Sequence, residues 1–301
     1  MNTLLPFQPD AMTPAQLAAV SYLDRYSGHT HTLYSSQLRR WFAWCETNRL
    51  DPLIRIQRAH IDLYIRHLGQ AGLMASSVVT SMHAVRGYFR YAHIDGLIVA
   101  DPAVDARLPK LYRDESRIQG LDRLELIRFL QVAQTLTVHH GALAFLLGIN
   151  ALRASEAAAV RIEDYVETLR GHRVIHLVGK GDKPATMPIT FPVLRVLEAC
   201  RVDRTEGRLI LRPVSGNPID RRDVYRMVAR IAKAAAIPRH TSPHSLRHAA
   251  IGNAFDAGVP LRDAQILARH SDPRTTEHYD RARGNLDRHG VHFLTAYVAG
   301  V

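Results

Sequence analysis

The stretch that decides this chain is His244-Ser245-Leu246-Arg247-His248, followed by His270 and then by Thr275-Thr276-Glu277-His278-Tyr279. It sets an imidazole, a guanidinium, a second imidazole and a phenol along a run of short predicted helices. His244 and Arg247 are three residues apart, so on a helix they share a face and can reach one small anion together. His244 and His248 are four apart, the ligand spacing of a helical zinc site. The general-base Glu that follows the first His of that motif is Ser245 here, which leaves zinc little weight. With 17 His in the chain, a single His or Tyr is more often a surface or core residue than a catalyst. The signal is therefore the order and spacing of several residues.

Working upstream, Leu121 to Leu136 reads as a helix, and Ala142 to Leu152 as an apolar, buried one with Arg153 at its end. Ser155-Glu156 restarts a short helix through Val160. The period then changes: Val174 to Val178 is β-rich, Gly179-Lys180-Gly181-Asp182 supplies turn residues, and Ala185 to Ile189 returns as a partner strand. That places Lys180 at the tip or shoulder of a hairpin. Helices resume at Pro192 to Val202 and from the N-cap Asp220 to Ala236. Downstream of Tyr279, Leu286 to Val298 fits a last amphipathic helix.

The amino-terminal half is all-helical in pattern. A short helix is expected after Thr13-Pro14. A long helix from Thr30 carries Leu38, Trp41, Phe42 and Cys45 on one stripe, a second carries Ile61, Tyr64, Ile65 and Leu68, and a third carries Val78, Met82, Val85 and Phe89. By pattern alone this is a helical bundle whose stripes are core. Arg86 and Arg90, with His83 and Tyr91, also suit phosphate contact, although solvated helix faces look much the same. Residues 104–120 read as a linker, which divides the chain into 1–113 and 114–301. The expected fold class is mainly α with a small β-hairpin or sheet.

A chain of 301 residues can bury a core without staples. Its two Cys, Cys45 and Cys200, form no disulfide framework and no ligand cluster. No basic segment followed by a long apolar run opens the chain, and no stretch approaches the ~20 apolar residues of a membrane span, so the expected place is the cytoplasm, away from membranes. The net charge of +11 and pI near 10.0 favour a polyanionic partner such as nucleic acid. Lys110, Lys180, Lys183 and Lys233 are the only Lys in an Arg-rich chain. Lys can release a proton when its pKa is lowered, whereas Arg cannot.

These pieces together resemble the tyrosine recombinases, also called the phage integrase family. The resemblance rests on Leu147-Gly148-Ile149-Asn150-Ala151-Leu152-Arg153-Ala154-Ser155-Glu156, on Val178-Gly179-Lys180-Gly181-Asp182-Lys183, and on His244, Arg247, His270 and Tyr279. More loosely, it includes the run Ser76 to Tyr91 and the Asp101-Pro102-Ala103 turn. It implies a helical core-binding domain, then a mixed α+β catalytic domain with a carboxyl-terminal exchange helix. The implied reaction is cofactor-free DNA strand exchange through covalent 3′-phosphotyrosyl intermediates and a four-way junction. The implied partner is a double-stranded recombination site, bound by a dimer and brought into a tetrameric synapse, with room for an accessory directionality protein.

The resemblance makes Arg153, Lys180, His244, Arg247, His270 and Tyr279 the catalytic set, with Tyr279 as nucleophile. A phenol with a pKa of about 10 costs on the order of 4 kcal/mol to ionise at neutral pH, so Tyr279 needs help as it attacks. Arg153 and Arg247 can fork donors onto nonbridging oxygens. Lys180 is the candidate acid for the leaving 5′ oxygen. His244 and His270 either hold phosphate oxygens or assist proton transfer at Tyr279. Glu156 is either an anchor for Arg153 or an ordinary acid at a helix N-terminus. Lys183 is a solvated turn charge by default and a phosphate contact otherwise, and His248 reads as packing or hydrogen bonding within its helix. One residue departs from the family pattern: Arg269 stands where a Gly commonly precedes His270, either crowding the turn or adding a phosphate contact.

Within this reading an integrase of a phage or other mobile element comes first and a chromosome or plasmid resolvase second, the length leaving no room for an additional arm-binding domain. A non-catalytic DNA-binding regulator, a type IB topoisomerase and a metal-dependent nuclease are the competitors. The last is weakest, since no carboxylate cluster for Mg²⁺ stands out.

Overall fold

The computed structural model describes residues 11–111, 120–179, 183–277, 279 and 290–299. Its contacts divide the chain into two units, Met1–Arg113 and Asp114–Val301. The fold is mainly helical with one three-stranded antiparallel sheet, as the periodicities predict.

The first unit holds α1 (Pro14–Asp24), α2 (Gly28–Thr47), α3 (Arg58–Gln70) and α4 (Ala75–Ile94). Thr13 caps α1, its hydroxyl accepting from the Gln16 N–H, with Pro14 in the first turn where its missing donor is harmless. Leu38, Trp41 and Cys45 of α2, Ile61, Tyr64 and Leu68 of α3, and Val78, Met82, Val85 and Phe89 of α4 form one buried core. Trp41 is its hub, edge-on to Tyr64 at 4.9 Å and to Phe89 at 5.7 Å, and its indole N–H donates to the Pro52 carbonyl at 2.9 Å. Fully burying such side chains stabilises by about 1.5–3 kcal/mol each. The start of the expected linker is not merely a connector. Ala106 is buried in this core, and the Arg86 guanidinium donates to its carbonyl.

The second unit begins with a close approach. A Cβ on Gly120 would lie 2.5 Å from the Ala249 nitrogen, and the Leu121 carbonyl accepts from Asn253 at 3.0 Å. The unit continues with α5 (Arg123–Leu136), α6 (Val138–Gly148), α7 (Ala154–Ala159), β1 (Thr168–Leu169), β2 (His172–Val178), β3 (Pro184–Pro188), α8 (Phe191–Arg201) and α9 (Arg221–Ala234). It ends with α10 (Pro243–Asp256), α11 (Leu261–Ala268), α12 (Pro273–Glu277) and α13 (Gly290–Ala299). Reciprocal side-chain and backbone caps start α5 at Asp122, α9 at Asp220 and α10 at Ser242.

α6 runs through the centre with Leu143, Leu146 and Leu147 fully buried. It stops at Gly148, four residues before the expected Leu152. Ala151 takes φ +50°, and the Leu152 N–H returns to the Leu146 carbonyl at 3.0 Å. Leu152 is apolar and buried because the chain folds back, not because the helix continues. Arg153 therefore caps α7 instead of ending α6. The short β1 strand was not anticipated either; it pairs with β2 across Arg170-Gly171, both at positive φ, the geometry of a tight hairpin turn. β2 and β3 pair from Val174 opposite Pro188 to Val178 opposite Pro184. Among the described residues no helix is long and apolar enough to cross a membrane.

Candidate active site

Four local structures converge on a cavity of about 600 Å³ in the second unit, lined by Arg153, Glu156, Val178, Gly179, Arg221, Tyr225, His244, Arg247, His270 and Tyr279 among others. The first turn of α7 supplies Arg153 and Glu156, and the first turns of α10 supply His244 and Arg247. His270 follows α11, and Tyr279 follows α12.

Glu156 organises the α7 side. Its Oε1 accepts from Arg153 Nη1 at 2.6 Å, and its Oε2 accepts from the Arg153 backbone N–H at 2.8 Å. Burial pushes this carboxyl up, yet the Arg153 N–H and the guanidinium groups of Arg269 and Arg153 outweigh it and hold Glu156 below the usual carboxylate range. Glu156 is thus an acid in the first turn of α7 whose side chain holds Arg153. Arg153 keeps 34% of its side-chain area exposed.

Arg247 is buried, and its guanidinium donates to the carbonyls of Ala151 and Ala268. Burial, together with the charges of Arg153 and Arg269, brings it down to about 10, so it remains a cation at neutral pH. It thereby ties α10 to the turn before Arg153 and to the end of α11. His270 donates or accepts at Thr276 Oγ1 over 2.9 Å, and its carbonyl accepts from Gln265 at 2.9 Å. Burial, then the surrounding guanidinium groups of Arg247, Arg153 and Arg269, lower its pKa to about 4. His244 is lowered as well, by burial and by Arg247. Both imidazoles are neutral at pH 7.

Tyr279 is 9% exposed and packs with Ile251, Phe255, Ala264 and Ala268 in a small cluster of its own. Burial raises its phenol above 10, while Arg247 and Arg153 pull the other way. Its hydroxyl lies 3.4 Å from Nε2 of His248, which is 2.9 Å from Nε2 of His244.

The structure thus brings together Arg153, Glu156, His244, Arg247, His270 and Tyr279. Lys180 lies outside the described residues, but Val178 and Gly179 just before it line the cavity. Lys183 is exposed, with its carbonyl accepting from the Gly179 N–H at 2.8 Å. In the first unit Arg90 is exposed, whereas Arg86 is partly buried and spends a donor on Ala106.

Three features escaped the sequence reading. His248, read as packing or hydrogen bonding within its helix, does bond His244 four residues away, but it also lies beside the Tyr279 hydroxyl. Arg269 does not line the cavity: it takes the left-handed conformation at φ +52° and turns inward to Glu156 Oε2 at 2.6 Å. Arg221 and Tyr225, with Arg222, Arg226, Arg230 and Lys233, make the exposed face of α9, and the first two reach the cavity. Their i, i+4 spacing, Arg222-Arg226-Arg230, was a basic stripe visible in the sequence.

Residues 119–285 match the model of the phage integrase family. The chain belongs to the phage integrase family. Residues 19–95 also match the N-terminal SAM-like domain of phage integrases. Its activity class is that of the tyrosine recombinases, DNA strand cleavage and rejoining. A tyrosine recombinase XerD of Pseudomonas aeruginosa is 29% identical over 277 residues, covering 88% of this chain and 91% of that protein. A tyrosine recombinase XerC of Xylella fastidiosa is 28% identical over 260 residues, covering 84% and 86%. Among solved structures, the Tn1549 transposon integrase in complex with circular intermediate DNA superposes with a TM-score of 0.69 at 22% identity, covering 92% of this chain and all of that one. The XerH recombinase bound to a palindromic difH substrate gives 0.69 at 19% identity, covering 96% and 86%. At these identities the superpositions speak to the fold.

Proposed function

We propose that this integrase-family chain breaks and rejoins a specific double-stranded DNA site by attack of Tyr279 on a phosphodiester held in the cavity between α7 and α10. The observation that carries the assignment is the convergence of Arg153, His244, Arg247, His270 and Tyr279 on that one cavity. Arg153 and Arg247 stabilise the charge that grows on the nonbridging oxygens. A neutral imidazole takes the phenolic proton, the Tyr279 oxygen bonds to phosphorus, and the 5′ oxygen leaves with a proton from Lys180. The product is a 3′-phosphotyrosyl bond that a second 5′ hydroxyl can reverse. The exposed basic face of α9, with Lys183, supplies backbone contacts around the site, and Arg90 and Arg86 do so in the first unit, the helical core-binding domain of this reading.

Two cellular roles use this chemistry, integration of a mobile element and resolution of chromosome or plasmid dimers. The second gains from relatives named XerC and XerD that align along 84–88% of the chain. Either role requires two protomers on a site and four in a synapse, and neither step needs a cofactor. The deciding experiment is detergent-resistant protein–DNA linkage in excess chelator, on nicked duplexes tiled from the DNA beside the gene. An adduct that forms without metal and disappears in Tyr279→Phe is the expected result. Binding without any adduct would favour a non-catalytic regulator, and an adduct surviving in the variant would overturn the choice of Tyr279.

A further inference from the structure

Arg269 stands in a conformation that disfavours it. It occupies the left-handed region at φ +52°, closing α11, where a Cβ is sterically disfavoured and Gly is the usual residue. The ordinary reason for a cation there is to cap the helix carbonyls. Its guanidinium does something else: it crosses to Glu156, 113 residues upstream, with Nη2 at 2.6 Å from Oε2. Nη1 rests 3.5 Å from the Met187 sulfur on β3. The pair is almost sealed, with 13% of the Arg269 side chain and 3% of the Glu156 side chain exposed.

Glu156 is therefore held from two sides. One oxygen takes Arg153, and the other takes Arg269 together with the Arg153 N–H. A carboxylate with a single cationic partner can swing with it, whereas one fixed by a buried second guanidinium cannot. We propose that Arg269 is a positioning residue for the phosphate site: it immobilises Glu156, and Glu156 in turn aims the partly exposed Arg153 guanidinium into the cavity. Arg269 touches no substrate in this scheme. It replaces the freedom of a small residue at this turn with an ion pair that links α11, α7 and β3 around the site. The scheme rests on the phosphodiester reading above and adds to it how Arg153 is held.

The test compares wild type with Arg269→Gly, which suits the backbone, Arg269→Lys, which restores the charge without the fork, Glu156→Gln, and the Arg269→Gly/Glu156→Gln double variant. Thermal melting first establishes that each folds; if Arg269→Gly does not, Arg269→Asn, which tolerates this backbone, takes its place. Two readouts follow: titration with inorganic phosphate, monitored at the His270 ring protons, and single-turnover adduct formation on the nicked duplexes beside DNA affinity. Arg269→Gly is expected to weaken phosphate at least 5-fold and slow the adduct at least 10-fold, with DNA affinity within 2-fold of wild type. Arg269→Lys should recover part of the rate, and adding Arg269→Gly to Glu156→Gln should cost less than 2-fold more. Wild-type phosphate binding in Arg269→Gly, losses that multiply in the double variant, or a loss confined to DNA affinity would each overturn the proposal. If wild type binds phosphate but forms no adduct on any duplex, the recombinase reading fails, and the phosphate titration decides the role of Arg269 alone.

Discussion

The Tyr279 hydroxyl lies 3.4 Å from Nε2 of His248, at the long end of hydrogen bonding, and that nitrogen is 2.9 Å from Nε2 of His244. The two rings and the phenol form a continuous chain, the His248 ring centroid 4.4 Å from that of His244 and 4.3 Å from that of Tyr279. A phenol raised by burial must shed its proton as it attacks, and this chain offers the nearest route. His248→Asn is expected to slow adduct formation about 10²-fold, the usual scale of a lost general base, with DNA affinity unchanged. An undiminished single-turnover rate would return His248 to a packing role.

Arg247 has a structural duty beside its chemistry. Arg247→Ala would strip the Ala151 and Ala268 carbonyls of their buried donor, costing roughly 1–3 kcal/mol for each group left unpaired. The variant should melt several degrees below wild type and lose adduct formation at least ~10²-fold. Calorimetry and the linkage assay check the two halves separately. Loss of activity with an unchanged melting temperature would contradict the tie between α10 and the turn before Arg153.

Acid should weaken the fold through His270. Its folded pKa is about 4 against an ordinary value of 6.5. Between those values the unfolded chain binds the proton and the folded one does not, so stability falls as pH drops through that window and levels off below it. His244, also lowered, acts in the same sense. The melting temperature of wild type should therefore fall relative to that of His270→Gln between pH 6.5 and 4. Phosphate should blunt the effect, because a bound anion favours the imidazolium. A constant difference across the window would show that His270 is not the titrating group.

The last helix, α13, is exposed along its described length. No residue of α13 is buried, and Val291, Phe293, Leu294, Tyr297 and Val298 are all at least half exposed. An apolar surface of this kind suits a neighbouring protomer. Ending the chain at residue 284 should leave single-site DNA binding intact and impair assembly of paired sites, read by gel shift and by recombination yield. Unchanged recombination by the truncated chain would sink this.

Much of this protein was legible without coordinates. Spacing placed His244 and Arg247 on one helical turn and the change of period found β2 and β3, whereas the phosphodiester came from the resemblance to the tyrosine recombinases. The first two are local properties, dictated by helical and strand geometry and by side-chain type. What composition and period left open depends on contacts between distant residues. The end of α6 was misjudged because Ala151 and Leu152 are buried by a chain reversal that apolar character alone does not distinguish from helix. His248 reads as filler until α12 brings Tyr279 against it, and Arg269 reads as a misfit in its own turn until α7 presents Glu156. For these two residues the role is set by a partner 31 and 113 residues away, and only the packed core of the second unit brings each pair within bonding distance.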